Sequence, residues 1–416
     1  MTASRTVDVC VAGGGPAGMM AGLLFARAGL RVVVLEKHSD FLRDFRGDTV
    51  HPSTLEIFHE LGLLDAFLQR PHDRMEKVAV RFNGERVDVA DFSALDTQCR
   101  FIAFMPQSDF LGFVADEARR TPGFELLMDA QVDALLEERG VVTGVRASTP
   151  HGPLEIAARL VIGADGRHST VRGLAGLRVR DLGAPIDVLW FSVPREGGHD
   201  DSLINVAPGH LVVTIDRGTY WQCAMVIAKD AVGAVRARGL PAFRQSVAAA
   251  APHVAPGLPA LEDWDQVKLL SVRVDRLQRW SRPGLLCIGD AAHAMSPIGG
   301  VGINLAIQDA VAAANLLAPK LLAHDRQAGG GLTPDDLDAV RRRRLWPARA
   351  TQFVQVQAQN RVLAPLIGGG AGSLSLPLPL RLLPRSAWLR RRIAGLVGLG
   401  ARPEHVRSFL RKPHAG

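Results

Sequence analysis

Three glycine-bearing segments have the residue types and spacing that chemistry needs. The first is Gly13-x-Gly15-x-x-Gly18, with Pro16 and Ala17 inside it and Glu36-Lys37 closing the next apolar run. Gly13 permits a tight turn, Gly15 lets a pyrophosphate approach the backbone, and Gly18 allows close helix–strand packing. A helix opening here offers an anion unpaired N–H groups and partial positive charge, worth about 0.3–1 kcal/mol per contact. Glu36 is placed to accept bonds from a ribose diol, and a turn without a ligand leaves that residue unexplained.

The second segment runs from Leu285 through Gly289, Asp290 and His293 to Pro297-x-x-Gly300-x-Gly302-x-Asn304. A strand again ends in a Gly-Asp turn, and a glycine-rich loop again opens a helix. Asp290 either bonds a polyhydroxylated chain or caps a turn. The N–H groups near Gly302 and Ile303 can face an atom that becomes anionic. The third segment is Val161-Ile162-Gly163-Ala164-Asp165-Gly166-Arg167-His168-Ser169, continuing to Arg172. By itself Asp165-Gly166 is an ordinary turn, and its arginines and His168 read as solvated surface groups.

These segments must be held by elements. Val7 to Ala12 reads as a buried strand, Pro16 to Ala28 as a helix stopped by Gly29, and Arg31 to Glu36 as a second buried strand. Ser53 to Leu61 has helical periodicity, with Ser53 and Glu56 spaced as a capping box. Val78, Val80 and Phe82 alternate with their neighbours, Asn83-Gly84 marks a hairpin turn, and Val87 and Val89 resume the alternation. Ser108 to Arg120 is helical, Gln131 to Arg146 holds two strands joined through Arg139-Gly140, and Leu160 to Gly163 is a buried strand. Val188 to Val193, Leu211 to Ile215 and Trp221 to Ile227 are strands, and helices run to Leu317 and from near Pro334. Two strand-rich blocks thus interrupt an α/β chain. A nucleotide-binding unit assembled from separated segments, with a mostly antiparallel sheet inserted, is the economical arrangement.

Composition narrows the class. At 416 residues and 47% hydrophobic, the chain is long enough for two or three packed units and is not disordered. Cys10, Cys99, Cys223 and Cys287 sit in or beside apolar runs without CxxC spacing, so reduced buried thiols and no metal site are expected. Asp8 and the Gly13-Gly14-Gly15-Pro16 break argue against a secretory leader. The longest uncharged stretch, 362–380, carries four glycines and three prolines, so no transmembrane helix is predicted there. A net charge of +7 is concentrated at Arg341 to Arg344 and Arg390 to Arg392, where a solvated helix face is the plain reading. Peripheral membrane contact through Trp388 and the second cluster is the alternative, and no nucleic-acid motif accompanies either.

Together the three segments resemble the class A flavoprotein monooxygenases, the p-hydroxybenzoate hydroxylase-like family of FAD-dependent aromatic hydroxylases, over about residues 5 to 345. The resemblance implies an α/β fold: a Rossmann-like FAD-binding domain of three layers (ββα), an inserted, mostly antiparallel β-sheet substrate domain, and a helical C-terminal segment. The expected division is 1–75, 100–180 and 270–345 for FAD, 76–99 and 181–269 for substrate, and 346–416 for the helical, basic end.

It further implies FAD as cofactor, NAD(P)H as co-substrate, and a small aromatic substrate oxidised with O2 through a flavin C4a-hydroperoxide. Glu36 is then expected on the adenosine ribose, Asp290 on the ribitol or pyrophosphate, and Gly300, Gly302 and Asn304 beside the isoalloxazine. Asp165 and Gly166 belong to a motif associated with both FAD and NAD(P)H, and His168 sits where some relatives meet NAD(P)H. Arg46 and Gln107 match flavin-contacting positions. No side-chain nucleophile is expected, and His293 is expected to pack under the flavin loop. Candidates for activating the substrate are His51, His210 and Tyr220, with Trp190, Trp221, Phe191 and Met225 as pocket residues. Alternation puts Tyr220 and Trp221 on opposite faces of their strand. A cytoplasmic monomer or homodimer is expected, its C-terminal segment closing the pocket or joining a dimer. The alternatives are a reductase of the geranylgeranyl reductase type and a flavin halogenase, although the halogenase Trp-x-Trp-x-Ile-Pro signature is replaced by Leu189-Trp190-Phe191-Ser192-Val193-Pro194.

Overall fold

The computed structural model describes residues 3–42, 49–82, 84–196, 203–324, 331–368 and 386–411. Arg46 lies outside them.

Apolar, β-branched runs make the central strands. Ala3–Ala12 pairs in parallel with Val32–Leu35 on one side and Gly152–Gly163 on the other, so that Cys10 stands opposite both Val33 and Val161. Phe124–Leu127 and Leu285–Cys287 extend the sheet in parallel at either side. The strand Gly152–Gly163 is much longer than its expected core because its first half also closes an antiparallel hairpin with Val141–Thr149, which in turn pairs with Gln131–Glu138. The turn between those last two uses positive φ at Arg139 and Gly140.

Over this sheet lies the helix Pro16–Arg27, with Pro16 in its first turn, where a missing N–H costs nothing. All of Ala17 to Arg27 is buried, because the long helix Gly302–His324 packs across its outer side. A helix covered on both sides needs apolar residues all round, which is what this sequence supplies. The stretch Ile298–Ala323 is long and apolar enough to cross a membrane by composition, yet 83% of its most apolar window is buried inside the protein. It is a core helix.

The second sheet has the order Lys268–Leu270, Ile186–Pro194, Tyr220–Ala228, His210–Asp216, Ile204–Ala207, Lys77–Phe82, Glu85–Asp91. All its neighbours are antiparallel except Ile204–Ala207 with Lys77–Phe82. Two sequence-distant blocks therefore share one sheet. Strand alternation gives it two apolar faces. Leu189, Phe191, Val193, Val212, Trp221 and Met225 pack on Phe243 and Val247 of the helix Leu240–Ala250. Val188, Trp190, Leu211, Ala224 and Val226 form the opposite face, where Ile298 and Leu366 pack.

Two local expectations need correction. The helix near residue 53 begins at Pro52, with His51 as N-cap and no side-chain cap. Pro52 pre-sets the backbone for the first helical position, so Ser53 falls two residues past the cap position, and Glu56 instead accepts the N–H of Gln98 at 3.2 Å. The arginine run 341–344 is not simply a solvated face. Helix Pro334–Ala358, capped by a Thr333–Asp336 box, turns Arg344 fully into the interior.

Candidate functional site

The parallel sheet brings three loops together at the carboxyl ends of neighbouring strands, where open α/β sheets bind ligands. Ala3–Ala12 ends at Gly13, Gly152–Gly163 at Ala164-Asp165, and Leu285–Cys287 just before Gly289. Gly13 has φ +106°, and a Cβ there would overlap the carbonyl of Ala164. A Cβ on Gly18 would overlap the carbonyl oxygen of Gly13. Gly15 is different: a Cβ there meets no atom within 4 Å. The fold thus requires glycine at 13 and 18, while at 15 it leaves open space over a helix N-terminus that has no acidic residue and no side-chain cap. Such a cradle fits a pyrophosphate.

Glu36 is buried at the end of Val32–Leu35. One oxygen accepts the Gly14 N–H at 2.9 Å, and the other accepts the His38 N–H at 3.1 Å. Its carboxylate is therefore fixed beside the glycine turn. Lys37 points outward and is exposed. Gly289, at φ +59°, brings its backbone against Ala17 and Ala306, which seats Asp290 next to the first turn of the Pro16 helix. Arg167 approaches Asp290 at 3.4 Å.

The third segment behaves differently from its plain reading. Arg172 is buried and forms a two-pronged pair with Asp275, both contacts at 3.3 Å. Asp165 accepts from the Ser169 hydroxyl and from the Val171 N–H at 3.0 Å, bracing the start of the short helix that Ser169 caps; burial holds its carboxyl above the usual range. Gly166 takes positive φ at the turn.

At the other end of the crevice, Pro297, Ile298, Gly299 and Gly300 form a tight turn with positive φ at both glycines, and Gly302 and Ile303 open the core helix. Asn304 is buried and works as a hub. Its oxygen accepts the His51 N–H at 2.9 Å and the Thr54 hydroxyl at 2.7 Å, while its nitrogen donates to Thr49 O and Gly300 O at 3.2 and 3.3 Å. The resemblance sets Asn304 beside the isoalloxazine; its side-chain bonds here join the Gly300 turn to residues 49–54. Thr49 lies opposite Phe104, whose strand leads within three residues to the half-buried Gln107 at the start of its helix.

His51 is fully buried. Its Nδ1 bonds Val397 O at 2.8 Å, and its Nε2 has no hydrogen-bond partner among the described residues. Burial lowers its pKa to about 4, so it is neutral near pH 7. A carbonyl at Nδ1 fixes the proton there, which leaves Nε2 as an acceptor near Gly300. The other two activating candidates fall elsewhere. Strand alternation puts His210 with Val212 on the face covered by Leu240–Ala250, and Tyr220 is exposed at a strand end. Trp221, Phe191 and Met225 also face that helix. Of the named pocket aromatics, only Trp190 lies on the face toward Ile298.

His293 is buried, with Nε2 2.5 Å from Asp309. Asp309 also accepts from Gly289 N at 3.1 Å and from Arg344 at 2.9 Å, and Arg344 reaches Glu404 at 3.3 Å. Burial alone raises the Asp309 pKa, but His293 and Arg344 more than offset it and hold the group ionised. These supports escaped the sequence reading; the one available signal was that Glu404 is the only acid after Asp338.

Residues 6–339 match the family model described as FAD binding domain. The chain is 34% identical over 360 residues to 6-methylpretetramide 4-monooxygenase of Streptomyces rimosus, covering 86% of this chain and 84% of the relative. It is 27% identical over 356 residues to para-nitrophenol 4-monooxygenase of Pseudomonas sp. strain WBC-3, with 82% and 84% covered. Its fold is similar to the crystal structure of p-nitrophenol 4-monooxygenase PnpA from Pseudomonas putida DLL-E4, with a TM-score of 0.72 and 24% identity over 96% of this chain and 100% of that one. That last likeness speaks to the fold alone.

Proposed function

The chain belongs to the FAD binding domain family, and we propose that this FAD-dependent aromatic monooxygenase hydroxylates a fused-ring phenol, using NAD(P)H and O2. The observation that carries the substrate class is the apolar wall next to the Gly300 turn. Trp190, Leu211, Ala224 and Val226 pack with Ile298 and Leu366 on this side of the sheet. Such a wall favours a broad, flat, apolar ring system over a small polar phenol. The most similar relative named above acts on 6-methylpretetramide.

When bound, the flavin supplies electron transfer from NAD(P)H and activation of dioxygen. The protein holds and shields. The open space over Gly15 and the N–H groups of the Pro16 helix would take the pyrophosphate, with Glu36 at the adenosine end and Asp290 at the ribitol end. The N–H groups of Gly302 and Ile303 would face negative charge at the opposite end, where a helix N-terminus stabilises it. The wall excludes water from the ring being oxidised. His51, neutral and with Nε2 available, would accept a proton or a hydrogen bond beside the Gly300 turn. Four buried free thiols and a nicotinamide reductant suit a cytoplasmic enzyme.

A direct experiment compares fused-ring phenols with monocyclic phenols as stimulators of NADH and NADPH oxidation under labelled O2. The proposal expects label in a fused-ring product and weaker, largely uncoupled turnover with the single rings. Faster coupled hydroxylation of the monocyclic phenols would reverse the substrate assignment.

A further inference from the structure

The helix Pro334–Ala358 and the π-turn Gln359–Leu363 that continues it turn three glutamines, Gln352, Gln355 and Gln359, onto one buried side. Their spacing of three and then four residues is one helical face. Opposite them lies the short connection from Ala294 to Ile298, which leads from the Gly289–Asp290 turn to the Gly300 turn. Ala294 O still accepts a backbone bond from Asp275 N at 3.3 Å. Beyond it, side-chain amides take over the pairing that a neighbouring strand would supply.

Gln352 donates to Asp275 O at 2.7 Å and to Ala294 O at 3.0 Å, and accepts from Arg276 at 2.7 Å. Gln355 accepts the Ser296 N–H at 3.2 Å and donates to Ser296 O at 3.0 Å and Ile298 O at 2.8 Å. Gln359 donates to the Ser296 hydroxyl at 2.6 Å, which in turn accepts the Ile298 N–H at 3.3 Å. The partners fix the amide orientation of Gln352 and Gln355, because an oxygen meets each N–H and a nitrogen meets each carbonyl. A carboxamide both donates and accepts at this reach without bringing a charge into the interior.

We propose that Gln352, Gln355 and Gln359 are positioning residues, a ladder that templates the loop facing the flavin and so sets the flavin's affinity and environment. The inference rests on the placement of FAD at the Gly300 turn given above. Loss of the two Gln355 donors is expected to weaken FAD binding about tenfold or more. A role limited to anchoring the helix would lower thermal stability and leave the bound flavin as it is.

The test uses holoenzyme carrying Gln355→Met, which keeps the volume without donors, and Gln355→Glu, which keeps the acceptor for Ser296 N alone. Ser296→Ala removes only the hydroxyl rung and serves if the Gln355 variants do not fold, and Phe353→Leu changes an exposed residue of the same helix. The readouts are the FAD dissociation constant, the visible absorption of bound flavin, and hydrogen exchange over 294–300. The ladder predicts weaker binding, a displaced flavin band and faster exchange confined to that segment, with Phe353→Leu unchanged. Folded Gln355 or Ser296 variants with wild-type values for all three would overturn it. Wild-type protein that takes up no FAD would instead overturn the flavin placement on which it rests.

Discussion

At the residue scale, His51 is the titratable group whose environment most constrains its role. Burial holds its pKa near 4 in the folded protein, against an ordinary value of 6.5. A folded pKa below the unfolded one means that the native state favours the neutral ring. The associated stability is present above pH 6.5 and is lost as pH falls from 6.5 toward 4. That difference corresponds to about 3 kcal/mol. Urea unfolding across this window is expected to show the loss in the wild type and a flatter profile in His51→Asn, which can keep a donor toward Val397 O. The same slope in both proteins would place the titration elsewhere. The two Gln355 donors and the acceptor at His51 make the same point. In this site, which atom carries the proton matters more than which residue carries a charge.

At the element scale, the helix Pro334–Ala358 decides how the tail relates to the site. Arg344 is fully buried between Asp309 and Glu404, and Asp309 also holds His293 and the Gly289 N–H. Removing one partner of a buried ion pair strands the others, at a cost of about 3–5 kcal/mol. Arg344→Met is expected to lose roughly that much stability in chemical unfolding, and a loss below about 1 kcal/mol would contradict the hub. This element also shows where sequence reading ran out. The strand–glycine turn–helix units were legible, because period and turn residues agree locally at Val7–Gly18 and Leu285–Asn304. Arginines at 341–344 look alike in sequence, yet helical geometry sends only one of them fully inward. The capping box at Ser53 was a correct local pattern overruled by its neighbour Pro52. A closer look at the 3–4 spacing of Gln352, Gln355 and Gln359 was the signal available for the ladder.

At the scale of the whole molecule, two sheets divide the work. The parallel sheet gathers three loops at its strand ends, and the second sheet turns one apolar face toward Ile298, in the segment that follows Leu285–Cys287. Alternation predicted that Tyr220 and Trp221 would part, and the structure puts Trp221 in the helix-covered core with Tyr220 exposed. Which face would meet the Gly300 turn was not written in either strand, because both faces are apolar. The hairpin at 77–91 joins a sheet built mostly from 186–228, a pairing that depends on long-range register rather than local pattern.

In the proposed arrangement the strand-end crevice grips one FAD, with Gly15 at the pyrophosphate. Titration of flavin-free wild-type protein and of Gly15→Ala with FAD tests it most directly, because a methyl at Gly15 meets no protein atom within 4 Å. One FAD per wild-type chain is expected, and Gly15→Ala should keep the apoprotein melting temperature while binding FAD at least tenfold more weakly. Equal affinity in the two proteins, or a wild-type chain that binds no flavin, would contradict it.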